Sequence, residues 1–367
     1  MTKLLVVFAA ALVLAYISEQ NTKAALAAGH RYSVRNDLAY ILLAVVLVLF
    51  AGLRTSYNDT WNYVTGFRKA PGLAEWLRNP DNLNPFKNPL FYLFQSLLKS
   101  YTSNAQWLIF ISALITQLCF LRFFKRYSEH FFFSIFVYFT LGTFVFSLAA
   151  IKQVLGMAIV TLAFPYLEKK KWVPYYLIVL IAMLIHTYAI AFALLPLFRV
   201  RPWRMFTFLF VAVMVVLMMN FEEAITAFME QANDLGKTLA DYEIFDENTV
   251  NIFRVAVYAV PPVISLFFQK WIFAEKSRLG NIFTHMSIIS LAFMIMGTQS
   301  GANMFARMAM YFELGTICIL PGMLESIFEE RSFRLVSAIA AVCFFGFFMY
   351  ANAVAGDFGQ DYRWIFG

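Results

Sequence analysis

The apolar residues of this chain fall in continuous blocks, each near the roughly 17 to 25 residues that a helix needs to cross a bilayer. Of its 367 residues, 61% are hydrophobic and 14% are charged. A transmembrane barrel would instead need alternating strands of about 10 residues. The sequence therefore predicts an all-α polytopic integral membrane protein with about 10–12 transmembrane helices.

The predicted spans follow one another along the whole chain, at 3–18, 38–53, 104–122, 130–150, 153–167, 172–198, 203–219, 252–273, 281–297, 304–323 and 333–350. The first block, Leu4 to Ile17, follows Lys3 and is as short as a signal peptide, but no convincing small-residue cleavage signal comes after it. We interpret it as a retained span. Because no repeat and no Gly/Ser-rich linker divides the chain, we expect a single transmembrane domain over 1–367.

The basic residues predict the orientation. They cluster in short loops, at Lys23, Arg31 and Arg35, Arg122, Lys125 and Arg126, Lys169 to Lys171, and Lys270, Lys276 and Arg278. The positive-inside rule assigns these loops to the cytoplasm and the loops 54–103 and 220–251 to the outer face. The net charge of +7 is thus spread over helix ends rather than gathered in one patch, and we expect no nucleic-acid partner.

Two loop segments, 71–101 and 221–245, have apolar residues at helical spacing and predict amphipathic helices on the outer face. The acidic loop 220–251 is either a solvated surface or a lid or wall beside a substrate. Segment 172–198 carries basic residues at both ends. Either it violates the positive-inside rule, or it enters and returns as two short helices that turn near His186, which the parity of the later loops favours.

Ionisable residues inside or at the edge of the apolar blocks are costly and mark candidate sites. They are Arg54 and Asp59 after the second span, Lys152, His186, and Arg307 with Glu313. The predicted topology brings Arg54, Asp59, Lys152 and Arg307 to the outer face, and a re-entrant segment 172–198 would bring His186 there too. Arginine forks suit phosphate oxygens, lysine adds a point charge, and an imidazole can act as general base.

Each candidate also has a structural interpretation. Arg54 could be a snorkelling anchor, Trp61 and Tyr63 belt aromatics, Lys152 a topological residue and His186 a satisfied core residue. Arg307 could pair with Glu313, although six residues do not share a helix face well. The four histidines are scattered, the three cysteines have no metal-ligand spacing, and there is no DxD sequence or P-loop. We therefore expect no metal ion, ATP or other cofactor.

Three stretches resemble the EpsG-like and Wzy-type bacterial polysaccharide polymerases. The first is AGLRTSYNDTWNYVTGF, with Arg54, Asp59, Thr60, Tyr63 and Phe67 at the family's positions. The second runs from Ile151 to Phe198 and contains Lys152, Gln153, the basic cluster and His186. The third, FARMAMYFEL, contains Arg307, Tyr311 and Phe312. The sequence departs from the family pattern at Lys152, where the family has Arg, and at Asn88, where it often has an acidic residue before Pro.

The resemblance implies a GT-C-like helical bundle in the bacterial cytoplasmic membrane with its active site facing outward. Such an enzyme transfers a glycan en bloc from undecaprenyl diphosphate to the non-reducing end of another lipid-linked repeat unit. It implies diphosphate or glycan binding by Arg54, Lys152, Gln153, Arg307, Tyr63 and Tyr311, catalysis by His186, Asp59 and Arg54, and membrane lipid, a chain-length regulator and a flippase as partners. A ligase, a lipid-linked oligosaccharide flippase and a membrane scaffold stay open as alternatives.

Overall fold

The computed structural model describes residues 1–220, 249–273, 279–299, 302–356 and 358–366. The predicted amphipathic segment 221–245, and with it most of the acidic loop 220–251, lies outside these residues. The chain forms two compact units, Met1–Ala189 with Leu335–Gly367, and Ile190–Arg334. The single domain expected over 1–367 stays a prediction.

The first half of the chain supplies the helices α1 (Thr2–Ala27), α2 (Leu38–Gly52), α3 (Thr60–Lys69), α4 (Leu73–Arg78), α5 (Pro89–Tyr101), α6 (Gln106–Tyr127), α7 (Phe131–Thr140), α8 (Thr143–Ala149), α9 (Ile151–Thr161), α10 (Phe164–Glu168) and α11 (Trp172–Ile185). Short 3₁₀ helices lie at Val34–Asn36, Pro80–Leu83 and Pro85–Lys87, and a longer one at Thr187–Arg199. The strand β1 is Arg54–Ser56.

The second half supplies α12 (Met205–Met219), α13 (Ile252–Phe267), α14 (Gln269–Ile272), α15 (Gly280–Met296), α16 (Ala302–Ile327), α17 (Glu330–Met349) and α18 (Phe358–Asp361), with a π-helical turn at Tyr350–Val354 and the strand β2 at Arg363–Trp364. Within the described residues, five helices are long and apolar enough to cross a membrane, or six when the bent pair α7 and α8 is taken as one span. Six shorter apolar helices accompany them. The chain is an all-α polytopic membrane protein, as predicted.

The predicted span 130–150 is bent rather than straight. Helices α7 and α8 meet at an angle of 54°, and Gly142 between them has φ +93°, a left-handed conformation that glycine adopts without a Cβ clash. A second interruption at Ala150, with φ −92° and ψ 65°, separates α8 from α9. Lys152 consequently lies in the first turn of α9.

The apolar segment 172–198 is interrupted at His186. Helix α11 ends at Ile185, His186 is extended with φ −149° and ψ 117°, and a 3₁₀ helix begins at Thr187. The break thus lies where the sequence places a turn. The return of the second half toward the same face of the membrane stays a prediction.

The first long loop is mostly helical. Its amphipathic segment 71–101 forms α4, two 3₁₀ turns and α5, and α5 packs against α3, α4, α6 and α11. Its location on the outer face of the membrane stays a prediction. At the start of the loop, β1 pairs antiparallel with β2, so the segment 358–366 packs beside the end of α2.

Candidate functional site

Arg54 is buried at the end of α2, with 1% of its surface exposed. Its Nη1 donates to the Ala51 carbonyl, and its Nε donates to the Thr60 hydroxyl at 3.4 Å. Its Nη2 is buried and has no hydrogen-bond partner among the described residues. Arg54 is therefore not the exposed snorkelling anchor that was one interpretation of the sequence.

Three tyrosines interact with the Arg54 guanidinium. Burial lowers the pKa of Arg54 to about 10, and the neighbouring Tyr362, Tyr63 and Tyr57 partly offset this effect. The side chain still carries its positive charge at neutral pH. Its hydrogen bonds go to neutral groups, so this part of the first unit holds a buried cation with one donor group left over.

Helix α3 carries the rest of the first motif. Asp59 is its N-cap residue, half-buried, and its side chain makes no capping hydrogen bond. Thr60 is fully buried, accepts from Arg54 and donates to the Tyr57 carbonyl at 2.6 Å. Trp61 is 68% exposed, which agrees with the belt interpretation for that residue.

Tyr63 joins the first motif to the second. Its hydroxyl oxygen accepts a hydrogen bond from the backbone N–H of Lys152 at 3.2 Å, and its ring packs edge-on against Phe91. Lys152 is half-buried, and its Nζ lies 5.4 Å from the centre of the Tyr92 ring, a cation–π distance. The sequence-predicted residues Arg54, Tyr63 and Lys152 are thus brought together within the first unit.

Gln153, the next residue of α9, is buried, and its Nε2 lies 4.0 Å from the Met157 sulfur one turn along the helix. Ile151 and Ile185 pack in one apolar cluster with Phe91, and Tyr63 lies against that cluster. Since Ile151 and Ile185 immediately precede Lys152 and His186, the start of α9 and the end of α11 share this cluster.

The break at His186 is held by Asn88. The Asn88 Oδ1 accepts from the Thr187 backbone N–H at 3.0 Å and from the Thr187 hydroxyl at 3.1 Å, and this hydroxyl also contacts the Phe86 carbonyl at 3.3 Å. His186 is 4% exposed, and its ring stands perpendicular to that of Tyr188 with the centroids 5.0 Å apart. Loop 80–88 therefore fixes the position of the candidate base.

Arg307 and Tyr311 lie on α16 in the second unit. Arg307 is half-buried, and Tyr311 is buried with its ring 5.9 Å from that of Phe192. Glu313 is fully buried and accepts a hydrogen bond from the Tyr258 hydroxyl of α13. The predicted meeting of Arg307 with Arg54, Lys152 and His186 at one surface stays a prediction.

The sequence interpretation missed several residues of this site. Tyr57 and Tyr362 interact with Arg54, and Tyr92 lies beside Lys152. Asn88 was noted only as a departure from the family pattern, and it is the residue that holds Thr187. Tyr57 lies inside the first motif and carried a local signal, whereas nothing near residue 54 in the sequence points to Tyr362.

Among the described residues, no group of three or more His, Cys, Asp or Glu side chains could hold a metal ion. His285 has a structural environment: its ring nitrogens lie 2.9 Å from the Thr207 hydroxyl and 2.8 Å from the Asn281 carbonyl. The expectation of a reaction without metal or other cofactor stays a prediction.

Comparison with known proteins adds one finding to this geometry. No curated protein and no solved structure matches the chain. The EpsG family, however, matches residues 37–364, which include all three motifs and the strand β2 that pairs beside Arg54. Since the match covers nearly the whole length, the chain belongs to the EpsG family.

Proposed function

We propose that this protein is a polysaccharide polymerase that transfers a glycan en bloc from undecaprenyl diphosphate to the non-reducing end of another lipid-linked repeat unit. Membership of the EpsG family supports a polymerase-like role in general. The multi-pass helical architecture supports a substrate that is itself held in the membrane. We propose the identity of the donor and of the acceptor, and we propose that the reaction takes place at the outer face of the cytoplasmic membrane.

The observation that carries the proposal is the buried Nη2 of Arg54. A buried cation is costly unless it is paired, and a buried donor without an acceptor costs about 1–3 kcal/mol. A diphosphate oxygen would supply both the missing acceptor and the missing counter-charge. Because Arg54 is 1% exposed, substrate binding then requires a shift of the covering groups, among them Tyr362.

Lys152 extends the anion site in this proposal. Its ammonium group supplies a point charge near Tyr92, and its backbone N–H holds the Tyr63 hydroxyl. Gln153, Tyr63, Arg307 and Tyr311 complete the proposed set of diphosphate and glycan contacts. Negative charge grows on the departing diphosphate as the glycosidic carbon–oxygen bond breaks, so preorganised cations stabilise the transition state more than the ground state.

His186 is the proposed general base. The acceptor hydroxyl attacks the anomeric carbon of the donor, its proton passes to the imidazole, and undecaprenyl diphosphate leaves. The bonds from Asn88 to Thr187 support this role, because they hold the backbone beside the imidazole in one position. Asp59 is the alternative base, and Arg54 assists by neutralising the leaving group.

The test is the profile of lipid-linked glycans in a strain that lacks the gene and is complemented with wild type or with Arg54→Gln, His186→Ala or Arg307→Ala. We expect single repeat units to accumulate on the outer leaflet, with polymer reduced at least about 100-fold for the first two variants. Arg68→Ala is the matched control, because Arg68 is an exposed arginine at the end of α3.

The same profile separates the alternatives. Polymer that forms but stays on its lipid would indicate a ligase, and repeat units held on the inner leaflet would indicate a flippase. Immunoblots of the membrane fraction and thermal unfolding of the purified variants distinguish lost chemistry from lost protein. Normal polymer from Arg54→Gln would contradict the anion site, and normal polymer from His186→Ala would transfer the base assignment to Asp59.

A further inference from the structure

A basic pocket of about 400 Å³ lies in the first unit. It is lined by residues near the C-terminal ends of α6 and α9. Its wall includes Arg122 and Arg126 of α6 and Lys169 and Lys171 from the turn before α11. The volume is within the range of small-molecule sites, which is about 300–1,000 Å³. None of the site residues discussed above lines it.

Local sequence rules explain how four cations come to face one space. Arg122 and Arg126 are four residues apart on α6 and therefore share a face. Helix α10 ends in a Schellman turn, in which the Lys170 N–H donates to the Leu167 carbonyl at 3.2 Å and the Lys171 N–H to the Tyr166 carbonyl at 2.8 Å. Lys170 has φ +56°, so the chain reverses at this residue. Lys169 and Lys171 line the pocket and Lys170 does not.

The charge balance of the pocket calls for an anion. Among the described residues that line it, four are cations and none is a carboxylate. Glu168 does not line the pocket, but its carboxylate forms an ion pair with Arg126 at 3.1 Å. Counting Glu168, four positive charges and one negative charge leave a local excess of three. Like charges held around one space repel one another, and a bound phosphate relieves that repulsion while it accepts hydrogen bonds from arginine and lysine.

The position of the pocket indicates that the anion belongs to a lipid. Two helical stretches long enough to span the membrane, Gln106–Tyr127 and Ile151–Glu168, end beside it. Tyr127 and Tyr166 line it, and aromatic residues of this type mark the headgroup level of a bilayer. The apolar side chains Phe123 and Ile178 form another part of the wall, where the first carbons of an acyl chain would lie.

We propose that this pocket binds the phosphodiester headgroup of an anionic membrane lipid, such as phosphatidylglycerol, in the leaflet that the positive-inside rule assigns to the cytoplasm. Basic pockets between transmembrane helices on that side recognise such headgroups. The two arginines provide planar forks for the phosphate oxygens, and the two lysines add point charges. This site is independent of the proposed polymerase chemistry.

Native mass spectrometry of the purified full-length protein with phosphatidylglycerol or phosphatidylcholine tests the proposal. We expect phosphatidylglycerol to remain bound, and the variant R122Q/K169Q/K171Q to bind it roughly 150-fold more weakly, since each of the three lost charges near an anionic lipid is worth about 1 kcal/mol. The matched control is Lys170→Gln, which makes the same change of charge in the same tripeptide and should bind as wild type does.

Two further measurements show whether the pocket binds a lipid phosphate or a free phosphate ion. Inorganic phosphate at millimolar concentration should leave the lipid bound, because it supplies no acyl chain. Complete displacement by inorganic phosphate would overturn the proposal in favour of a small-anion site. Equal retention of phosphatidylglycerol by wild type and the triple variant, or equal binding of phosphatidylcholine, would also overturn it. The single variant Lys169→Gln, compared with Lys170→Gln, keeps the test decisive if the triple variant does not fold.

Discussion

Asn88 combines an unusual backbone conformation with two side-chain contacts. It has φ +55° and ψ 52°, in the left-handed region that asparagine visits more readily than other residues with a Cβ. It precedes Pro89 at the start of α5, yet its side chain does not cap that helix. Its Oδ1 instead accepts both hydrogen bonds from Thr187. Asparagine therefore both adopts the left-handed backbone conformation and supplies the acceptor for Thr187.

We expect Asn88→Gly to lower the free energy of unfolding by about 1–3 kcal/mol and to reduce polymer output. Glycine keeps the left-handed conformation but leaves the buried Thr187 N–H without its acceptor. Thermal unfolding of the purified protein measures the first effect, and the glycan profile measures the second.

Asn58→Gly is the matched control for this prediction. Asn58 also has a positive φ, 43°, but its side chain is exposed. This variant should be as stable as wild type to within about 0.5 kcal/mol. Equal behaviour of the two glycine variants would show that the Asn88 side chain does not hold the break at His186.

At the scale of single residues, the sequence predicts contacts between residues of its recognisable motifs and misses contacts with residues outside them. Tyr63 and Lys152 were both expected in one site, and the structure joins them through a hydrogen bond. The burial of Arg54 could not be predicted, because Tyr362 and the strand β2 lie at the other end of the sequence. An arginine at the end of a span has the same local sequence whether it is exposed or covered.

Helices α1 and α2 are joined by the Asp37 carboxylate. It accepts from Ser18 at 2.6 Å, from Asn21 at 2.9 Å and from Tyr32 at 2.6 Å, and it also caps α2 through the N–H groups of Ala39 and Tyr40. Burial raises the pKa of Asp37, but these hydrogen bonds outweigh burial and leave the pKa below its ordinary value of 3.8. The folded protein thus favours the ionised form.

The lowered pKa of Asp37 predicts that acid weakens the packing of α1 against α2. A lowered pKa contributes stability above the pKa of the unfolded chain, and that contribution is lost as the pH falls below about 4 and through the folded value. We expect Asp37→Asn to lower the free energy of unfolding at pH 7 by about 2 kcal/mol, because charge-assisted hydrogen bonds are lost. Thermal unfolding at pH 7 and pH 3 is the measurement.

The control carboxylate is Asp81, which is exposed. Asp81→Asn should leave both the stability at pH 7 and its fall toward pH 3 as in wild type, whereas Asp37→Asn should show a smaller fall. An unchanged acid dependence in Asp37→Asn would mean that other carboxylates cause it.

Among the elements, the apolar blocks predicted the helices far better than they predicted the bends. All eleven predicted spans contain a helix or a helix pair in the structure, but the bend at Gly142 was missed. Hydropathy averages over a window and is insensitive to one left-handed residue. Basic residues at both ends of segment 172–198 left two interpretations open, and the one favoured by the parity of the later loops included a turn near His186, where the structure has its break.

At the scale of the first unit, the segment 358–366 completes the surroundings of Arg54. Tyr362 donates to the Phe50 carbonyl at 2.7 Å and stacks on the Phe50 ring at 4.6 Å, and the Ile365 N–H donates to the Leu53 carbonyl at 3.0 Å. Phe358 lies against the Tyr57 ring. These contacts join the end of α2 to the last described residues of the chain.

We expect Tyr362→Ala to lower the free energy of unfolding by about 3–5 kcal/mol, because it removes a buried aromatic side chain and its hydrogen bond. Tyr362→Phe keeps the ring and should cost only about 1 kcal/mol. Thermal unfolding in detergent compares the two. Equal values would indicate that the hydrogen bond, rather than the ring, holds the segment.

The pairing of β1 with β2 can form only late in the synthesis of the chain. The Thr55 hydroxyl lies 3.4 Å from the Arg363 backbone carbonyl, and the two residues are 308 positions apart in the sequence. A ribosome adds roughly 5–20 residues per second, so residue 54 waits about 15–60 s for its sheet partner. During this interval β1 has no strand partner. A nascent chain that ends before residue 358 therefore has neither the strand partner of β1 nor Tyr362 beside Arg54, so the burial of Arg54 depends on the segment 358–366.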